Sequence, residues 1–347
     1  MTSPSRPHLP LHFFSLAHLP LAYLFLAYLP LAYLLTCYLP MITLYPVPDL
    51  PRFKPGRPPA NSRKTTDDFA PNNPHQAKAE ARRILSAGLS PQAWRSIDLL
   101  ATGGVLSAER LGSFGTSERT LQRLAKAWVL ERLVRDGDEV RRSLEGFGLE
   151  SKQRPNLYTL GPVGIEIATG RHDVPPPSGY QGYSLSRVLH DVITNEIVLR
   201  LAEAIGAGWT VEWLGKYEGT LTDKAQKQVL LEPDALIRFR KDGEERALLL
   251  EYHNEDKRSR AALKVEKYEA AFNEGNWRER WEVETFPPVL AVFHQPIVGV
   301  GYKSAVEGKR LHCAYYGKTL KAVLDGKLDE WVNVASSEKE TILPKDE

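Results

Sequence analysis

The sequence predicts an α+β protein, with a helical domain that also contains strands at residues 77–172 and an α/β domain at residues 184–300. Two patterns lead to this prediction. In the first domain, three short helical patterns precede two short apolar strands. In the second, a long apolar helix precedes a β-hairpin, another helix and another strand, which is the alternation typical of α/β domains. A Pro- and Gly-rich stretch, 172–183, marks the boundary, and residues 301–347 are expected to form a C-terminal extension.

The composition is ordinary for a soluble globular protein, with 25% charged residues, 42% hydrophobic residues and a net charge of +2. The two cysteines, Cys37 and Cys313, lie far apart and outside any Cys-x-x-Cys or Cys/His cluster. A disulfide framework and a structural zinc site are therefore not expected. The same cysteine usage favours a reducing compartment, and a cytoplasmic location is predicted.

Residues 1–76 combine an uncharged repeat with a basic linker. The run 7–48 contains no Lys, Arg, Asp or Glu, and a proline recurs every ten residues from Pro10 to Pro40. The length of the run favours a membrane helix, whereas the regular prolines disfavour one. A secretory signal and a translated DNA repeat upstream of a start at Met41 are the alternatives. A membrane partner is not expected unless this run is a genuine span, and the basic linker is expected to be disordered.

A helix-turn-helix arrangement is predicted in the first domain. Ser90 and Ser107 are placed to cap two short helices, and Thr116 or Ser117 is placed to cap a third. The third helix has apolar residues at i, i+3, i+4 and i+7, which give it one buried face. These residues are Leu121, Leu124, Ala125 and Trp128. Because a glycine-containing turn precedes this helix, we expect it to enter the major groove of duplex DNA.

The other faces of the third helix carry the side chains predicted to contact DNA. Arg119 and Arg123 are suited to guanine edges or phosphates, and Gln122 to an adenine edge. The full set of predicted DNA-binding residues is Ser117, Arg119, Thr120, Gln122, Arg123, Lys126, Arg141 and Arg142. The alternative is a helical domain whose basic face is only solvated.

The last two arginines of that set lie in a predicted polar loop between two strands, 130–134 and 156–160. Two strands around a basic loop form a wing. The segment 157–164 resembles the second wing strand and the following helix start of winged-helix DNA-binding domains. The prediction is therefore a winged helix-turn-helix domain.

A β-hairpin is predicted in the second domain. Asp242-Gly243 lies between two apolar runs, 235–239 and 247–250. Glycine accepts the positive φ that a tight turn of the right twist requires, so the pattern indicates two antiparallel strands.

Two carboxylates, Asp234 and Glu251, come together at the open end of this hairpin. Mg²⁺ prefers oxygen ligands and often binds through only one or two carboxylates, so a magnesium site is predicted here. The alternative is that Asp234 caps the strand entry and that Glu251 pairs with a surface arginine such as Arg246.

The pair Pro233-Asp234 and the motif Glu251-x-His253 resemble the core of PD-(D/E)xK nucleases, which have lysine at the last position. Histidine replaces this lysine only in part and only when protonated. A lysine on the following helix, Lys264 or Lys267, could reach back into the site. The resemblance implies a metal-dependent endonuclease with the catalytic residues Asp234, Glu251, His253 and Lys264.

The same resemblance implies a third acidic ligand. In that fold the helix before the hairpin often contributes a glutamate, and Glu196 lies on the inward face of the predicted helix. A buried carboxylate needs a cationic partner. The implied metal ligands are Glu196, Asp234 and Glu251, and the alternative is that Glu196 binds only Arg200.

The order of these features resembles the replication-relaxation family, whose plasmid-associated members have a winged helix before a nuclease-like α/β domain. The matching segments are the third helix (116–133), His190-Asp191-x-x-x-Asn195-Glu196, Pro233-Asp234, the strand that ends in Glu251, and Lys264-x-x-Lys267-Tyr268. The resemblance covers about residues 80–300. It implies a role in relaxing or initiating the replication of plasmid DNA.

Three functions are expected in order of preference. The first is a DNA-binding protein of plasmid or mobile-element replication, with duplex DNA as its partner and a homodimer as a further expectation. The second is a Mg²⁺-dependent endonuclease of the PD-(D/E)xK type. The third is a winged-helix transcriptional regulator whose second domain mediates dimerisation.

Overall fold

The computed structural model describes residues 73–149, 155–172, 175–205, 208–223, 228–255 and 257–344. The predictions for the uncharged repeat and for most of the basic linker fall on residues 1–72, outside these ranges. Within the ranges, no helix is both long enough and apolar enough to cross a membrane.

The amino-terminal half, residues 73–172, places short helices around a small sheet. Its elements are α1 (Pro74–Ala87), α2 (Pro91–Gly103), β1 (Val105–Ser107), α3 (Ala108–Ser113), α4 (Glu118–Lys126), β2 (Leu130–Arg132), α5 (Gly137–Gly146), β3 (Leu157–Leu160) and α6 (Pro162–His172). Strand β3 lies between β1 and β2 and is antiparallel to both.

Serine caps set the starts of three of these helices, as predicted. The hydroxyls of Ser90, Ser107 and Ser117 each accept a hydrogen bond from the backbone N–H three residues later, at 3.2, 3.1 and 3.2 Å. Each cap satisfies one backbone donor that has no partner within its helix. Thr116 does not cap α4; its hydroxyl is buried 2.8 Å from that of Ser96.

Helix α4 is shorter than the apolar pattern predicts. It ends at Lys126, and Trp128 lies beyond the end with a φ of 59°. The buried face of the helix is therefore formed by Leu121 and Leu124, which are 1% and 0% exposed. The predicted apolar pattern had merged this helix with the turn that enters β2.

The predicted polar loop between β2 and β3 is wrong over residues 137–146, which form α5. Asp136 caps this helix, and its Oδ1 accepts hydrogen bonds from the N–H groups of Asp138 and Glu139 at 2.8 and 3.2 Å. Val140 and Leu144 are buried beneath it. The acidic first turn and the apolar pair four residues apart stabilise a helix where basic side chains alone had indicated a loop.

The carboxy-terminal half, residues 175–344, is built on a larger sheet. Its elements are α7 (Leu185–Ile205), β4 (Thr210–Leu214), α8 (Lys216–Gly219), β5 (Leu221–Thr222), β6 (Val229–Leu231), β7 (Ala235–Lys241), β8 (Glu244–His253), α9 (Arg258–Glu274), α10 (Trp277–Trp281), β9 (Val289–Phe293), α11 (Pro296–Val306), β10 (Tyr315–Thr319), α12 (Leu320–Leu324), β11 (Glu330–Asn333) and β12 (Lys339–Thr341). A short 3₁₀ turn, Tyr180–Gly182, precedes α7.

The sheet has the strand order β12-β11-β10-β9-β8-β7-β4. Strands β8, β9 and β10 are parallel, and the remaining neighbours are antiparallel. Apolar side chains of α7 pack on one face of the sheet, and those of α9, α10 and α11 pack on the other. The result is a mixed α/β arrangement in which the strands are covered on both faces, as parallel strands usually are.

The predicted hairpin is confirmed. Lys241 pairs with Glu244, so the turn consists of two residues, Asp242 and Gly243, with φ values of 50° and 86°. Positive φ at both positions is the condition of a type I′ turn, whose twist matches that of the paired strands. Glycine and aspartate are among the residues that accept this conformation most readily.

The C-terminal residues continue the same sheet. Strand β10 pairs with β9 in parallel, and β11 and β12 follow it in antiparallel order. Trp331 and Val334 are buried within these additions. Residues 301–344 are therefore part of the second half and not a separate appendage.

The two halves share one hydrophobic core. Ile97 and Leu100 of α2 belong to the same buried cluster as Ile193 of α7 and Trp213 of β4. Asn195, 3% exposed, joins the halves by donating hydrogen bonds of 2.7 Å to the carbonyls of Gly103 and Val105. A buried amide that satisfies two backbone carbonyls fixes α7 against the end of α2.

Candidate functional site

The carboxyl ends of β8, β9 and β10, at His253, Phe293 and Thr319, lie at one edge of the sheet, here called the carboxyl edge. Asp234, just before β7, reaches the same edge because β7 is antiparallel to β8. Its backbone N–H donates to the Leu250 carbonyl at 3.1 Å. The hairpin therefore brings Asp234 beside Glu251, as the sequence predicts.

Asp234 is a buried carboxylate within reach of three cations. Its side chain is 9% exposed, and its Oδ2 accepts a hydrogen bond of 2.8 Å from the Tyr252 N–H. Burial raises the pKa of Asp234, but His190 and Lys264, with the Tyr252 N–H and Lys216, outweigh it and hold the pKa below its usual value. Asp234 is therefore ionised at neutral pH.

Glu251 is buried more completely, at 1% exposure, and both its oxygens have partners. Tyr268 donates to Oε1 at 2.7 Å, and Lys264 Nζ lies 2.6 Å from Oε2. Burial raises the pKa of Glu251, and Lys264 acts against that rise. Lys264 thus reaches the hairpin from α9, whereas Lys267 on the same helix is exposed.

His253 lies at the end of β8 but both its ring nitrogens contact other groups. Nε2 lies 2.9 Å from the hydroxyl of Tyr302, and Nδ1 lies 3.3 Å from Glu255 Oε1. The ring is 2% exposed. Lys264, and not His253, is therefore the side chain that pairs with the Glu251 carboxylate.

His190 of α7 belongs to the site and was not among the predicted site residues. Its Nε2 lies 3.7 Å from Asp234 Oδ2 and 3.2 Å from the Tyr252 carbonyl, and its Nδ1 lies 3.4 Å from Asp191 Oδ1. Burial lowers the pKa of His190, but Asp234, Asp191 and the Tyr252 carbonyl together raise it to about 9. The adjacent His190-Asp191 pair among the apolar residues Leu189 and Val192 was the available sequence signal.

Lys216, at the start of α8, is the third cation near Asp234. Its Nζ lies 3.2 Å from Glu232 Oε1, and the charge of Asp234 also helps to raise its pKa against the effect of burial. Nothing in the local sequence distinguishes this lysine from a solvated one. Its place follows from the pairing of β4 with β7, which carries the residues after Leu214 to the edge where Asp234 lies.

Glu196 does not join these groups. Its Oε1 accepts a hydrogen bond of 2.6 Å from Arg200 Nε, and Arg110 Nε lies 3.3 Å from its Oε2. Six residues separate it from His190, so it lies about 9 Å further along the helix and on a different face. Arg200 is thus one partner of Glu196, as the alternative interpretation expects, and Arg110 is a second partner that it did not include.

The predicted Mg²⁺ site at this edge stays a prediction. Both oxygens of Glu251 are held by Tyr268 and Lys264, and Glu196 is elsewhere. Over the part of the chain that the structure describes, no group of three or more His, Cys, Asp or Glu side chains could hold a metal ion.

The predicted DNA-contacting side chains of α4 form one stripe. Arg119, Gln122 and Lys126 are exposed and Arg123 is half-buried, at the helical spacing i, i+3, i+4 and i+7. Gln122 Nε2 donates to Glu118 Oε1 at 3.3 Å. The stripe lies opposite the buried leucines of the helix and carries three cations on one surface.

Ser117 and Thr120, also predicted to contact DNA, are engaged with each other at the start of α4. The Ser117 hydroxyl caps the helix and lies 3.0 Å from that of Thr120. Their first role is therefore to begin the helix.

Arg141 and Arg142 lie on α5 and not on a wing between two strands. Arg141 lies 3.9 Å from Asp138 and 3.9 Å from Glu145. Since this helix also carries Glu139, its charge is not predominantly basic. The structure thus separates these two arginines from the stripe of α4.

Comparison with protein-family models, with curated proteins and with solved structures gave no match. Functional inference therefore rests on the geometry of two places: the exposed stripe of α4 and the charged cluster around Asp234.

Proposed function

We propose that this protein binds duplex DNA through α4. The observation that carries the proposal is the stripe of Arg119, Gln122, Arg123 and Lys126 on a helix whose opposite face is buried. Arginine and lysine neutralise phosphates, and arginine and glutamine pair in two-point fashion with guanine and adenine edges.

The surroundings of α4 support this use. Helices α2, α3 and α4 and the antiparallel strands β1, β3 and β2 occur in the order expected for a winged helix, in which the third helix docks in the major groove. Phe114, beneath the turn before α4, is buried, and its carbonyl accepts a hydrogen bond of 3.2 Å from Arg95. A rigidly held helix with an exposed polar stripe meets the requirement that a recognition element be pre-positioned.

The proposal is tested by fluorescence anisotropy of a labelled duplex at several salt concentrations. The wild-type protein is expected to bind with an affinity that falls steeply as salt increases. Binding is described by the slope of the logarithm of the binding constant against the logarithm of the salt concentration. In the double variant Arg119→Ala/Lys126→Ala this slope is expected to decrease in magnitude by about two, because each lost phosphate contact removes roughly one.

Two control variants isolate the surface. Lys309→Ala removes an exposed cation from the segment after α11 and should leave the slope unchanged. Arg141→Ala/Arg142→Ala removes the same charge as the α4 double variant, but from α5, and should change the slope by less. Equal loss from all three variants would indicate only a general effect of net charge and would refute the assignment to α4.

The resemblance to the replication-relaxation family suggests plasmid or mobile-element DNA as the partner. A homodimer on a pseudo-palindromic site accompanies that proposal, because two-fold proteins read sites that repeat about one helical turn apart. Sedimentation of the protein with and without duplex measures the stoichiometry. One chain per duplex at saturation would contradict the dimer.

A second candidate function is cleavage of the DNA backbone. Lys264 beside Glu251, next to Asp234, favours it, because a lysine near paired carboxylates is suited to stabilising charge on a phosphate. The test is incubation with supercoiled plasmid, with and without Mg²⁺ or Mn²⁺, using wild type, Asp234→Asn and Lys264→Met. Asp242→Asn, at the opposite end of the hairpin, is the matched control.

Metal-dependent nicking that is lost in the first two variants and kept in the control would support an endonuclease. Binding without nicking would leave the charged cluster as a stabilising feature of the fold. Because α4 lies outside this cluster, the measurement of DNA binding by anisotropy is independent of the plasmid-nicking test.

A further inference from the structure

A cleft of about 780 Å³ opens beyond the ends of β9 and β10, at the carboxyl edge. Its walls come from the start of α11, the ends of β9 and β10, α12 and β11. Its volume is in the range of sites that enclose small organic ligands. The α4 stripe lies on a different element and has no part in it.

The topology of the sheet produces this cleft. After β9 the chain enters α11, whose Val298 and Tyr302 pack on the face covered by α9. After β10 it enters α12, whose Leu320 and Val323 pack on the face covered by α7. Adjacent parallel strands whose connections leave to opposite faces form a switch point, and ligands of α/β sheets bind in the crevice outside such a point.

The interior of the cleft is apolar. Phe293 forms part of its lining, and Val300 and Val332, at 43% and 41% exposure, are among the exposed large hydrophobic residues of the described chain. A Cβ at Gly299 would lie 2.6 Å from the Phe293 ring. Glycine at this position lets the helix approach the ring closely while the space in front of both remains open.

Lysines surround this apolar interior. Lys303, Lys318, Lys327 and Lys339 all line the cleft, against two acidic residues, Asp329 and Glu330. Glu330 already pairs with Lys339 at 3.0 Å. Within the ranges that the structure describes, Lys303 has no carboxylate at ion-pair distance. The cleft therefore carries an excess of positive charge.

The positive charge of Lys318 is also incompletely balanced by nearby carboxylates. Its Nζ donates to the Lys327 carbonyl and lies 4.9 Å from the centre of the Trp331 ring. Burial lowers the pKa of this lysine, and Asp329 and Glu330 compensate only in part. An anion in the cleft would compensate the remainder.

We propose that this cleft binds a small organic anion with an apolar body and a carboxylate, sulfonate or phosphate group. The apolar body lies against Phe293, Val300 and Val332, and the anionic group meets Lys303 and Lys318. The occupant is a small molecule and not a chain segment, because the lysines and the apolar lining converge on one cleft of small-molecule size at the switch point.

The test compares two dyes that share an apolar body. Anilinonaphthalene sulfonate carries an anionic group, and N-phenyl-1-naphthylamine lacks it; both are titrated by fluorescence into the full chain. The sulfonate is expected to bind more tightly, at one site per chain. Lys303→Met is expected to weaken the sulfonate about tenfold, since one charge-assisted contact accounts for at least such a factor, and to leave the neutral dye nearly unchanged.

Two further variants complete the test. Val332→Trp fills the cleft and is expected to weaken both dyes, while Lys309→Met removes a cation outside the cleft and is expected to weaken neither. The inference is overturned if Lys303→Met leaves sulfonate binding unchanged, if both dyes bind equally well, or if Lys309→Met has the effect expected of Lys303→Met. Lys303 is exposed on α11, so its substitution does not disturb the core and the test does not depend on the larger Val332→Trp change.

Discussion

His190 governs the charge balance of the cluster at the carboxyl edge. It lies between Asp191 and Asp234, and these carboxylates and the Tyr252 carbonyl raise its pKa to about 9 against the effect of burial. A raised pKa in the folded state means that protonation stabilises the fold. This contribution is complete below the unfolded value of 6.5 and is lost as the pH rises through about 9.

The variant His190→Gln is therefore expected to lose free energy of unfolding by an amount that depends on pH. At pH 6 it should be less stable than the wild type, and by pH 10 the difference in free energy of unfolding should shrink by on the order of 2 kcal/mol. Urea denaturation of both proteins across this range measures the difference. A difference in free energy of unfolding that stays constant from pH 6 to pH 10 would mean that the neighbouring carboxylates do not keep His190 protonated in the folded protein.

Lys264 and Glu251 form the most deeply placed ion pair of the cluster, 2.6 Å apart with Glu251 1% exposed. Lys264→Met leaves a buried carboxylate without its cation, which is expected to destabilise the protein by about 3 kcal/mol at pH 8. Because burial already raises the pKa of Glu251, the variant should recover stability as the pH falls and the carboxyl takes up a proton.

The double variant Lys264→Met/Glu251→Gln provides the matched comparison. Because the unpaired charge of Glu251 is also removed, it should be more stable at pH 8 than Lys264→Met alone. Chemical denaturation of the four proteins in this cycle gives the coupling energy directly. Additive effects of the two changes would show that the pair does not interact.

At the level of elements, the turn between β7 and β8 offers a sharp test of backbone conformation. A Cβ on Gly243 would meet no atom within 4 Å, so only its φ of 86° opposes a side chain there. Gly243→Ala is therefore expected to destabilise the protein by about 1 kcal/mol.

The same change at Gly112 should have the opposite sign. Gly112 lies within α3, and a Cβ there also meets nothing within 4 Å. Gly112→Ala is expected to stabilise by about 0.5 kcal/mol, because alanine favours the helix. Thermal denaturation measures both variants. Stabilisation by Gly243→Ala would refute the assigned turn conformation, and destabilisation by Gly112→Ala would contradict the helical prediction.

The sequence predicted those elements whose signals are local. Asp242-Gly243 predicted the hairpin, and the serines at positions 90 and 107 predicted two helix starts, because a turn or a cap depends on a few adjacent residues. Helix α5 was missed because its basic residues dominated the pattern. Its acidic cap and buried Val140 are informative only once its packing against α7 is known.

The candidate site was predictable to the same limited extent. Asp234 and Glu251 were brought together correctly because a hairpin fixes its own register. The His190-Asp191 pair was a local signal for His190. Lys216 reaches the cluster through contacts of α8 with β7, and that long-range placement has no signature in the local sequence. The contact of Glu196 with Arg110 was also unpredictable from local sequence, because Arg110 lies 86 residues earlier in the chain.

At the scale of the whole described chain, the two predicted domains share one hydrophobic core. The hydrophobic cluster that contains Ile97 also contains Ile193 and Ile237, and Asn195 bonds to the end of α2. Thermal unfolding is therefore expected to be a single cooperative transition, with the calorimetric and van't Hoff enthalpies equal. Two resolved transitions would indicate independent domains.

Asn195→Leu gives the matching perturbation. It removes both hydrogen bonds between the halves and leaves the carbonyls of Gly103 and Val105 buried without that donor. The expected loss is about 2–3 kcal/mol, still in a single transition. A normal melting temperature would show that the interface does not depend on this residue.

Cleavage of DNA by an iron chelate tethered to α4 shows whether this helix lies on the bound duplex. The chelate is attached through Arg119→Cys in a Cys37→Ser background, since the other cysteine, Cys313, is buried. Lys309→Cys in the same background is the control. If α4 lies on the DNA, strand scission is expected to cluster at the bound site from position 119 and to be absent from position 309. Bound DNA that is not cut from position 119, or is cut equally from both, would contradict this position of α4.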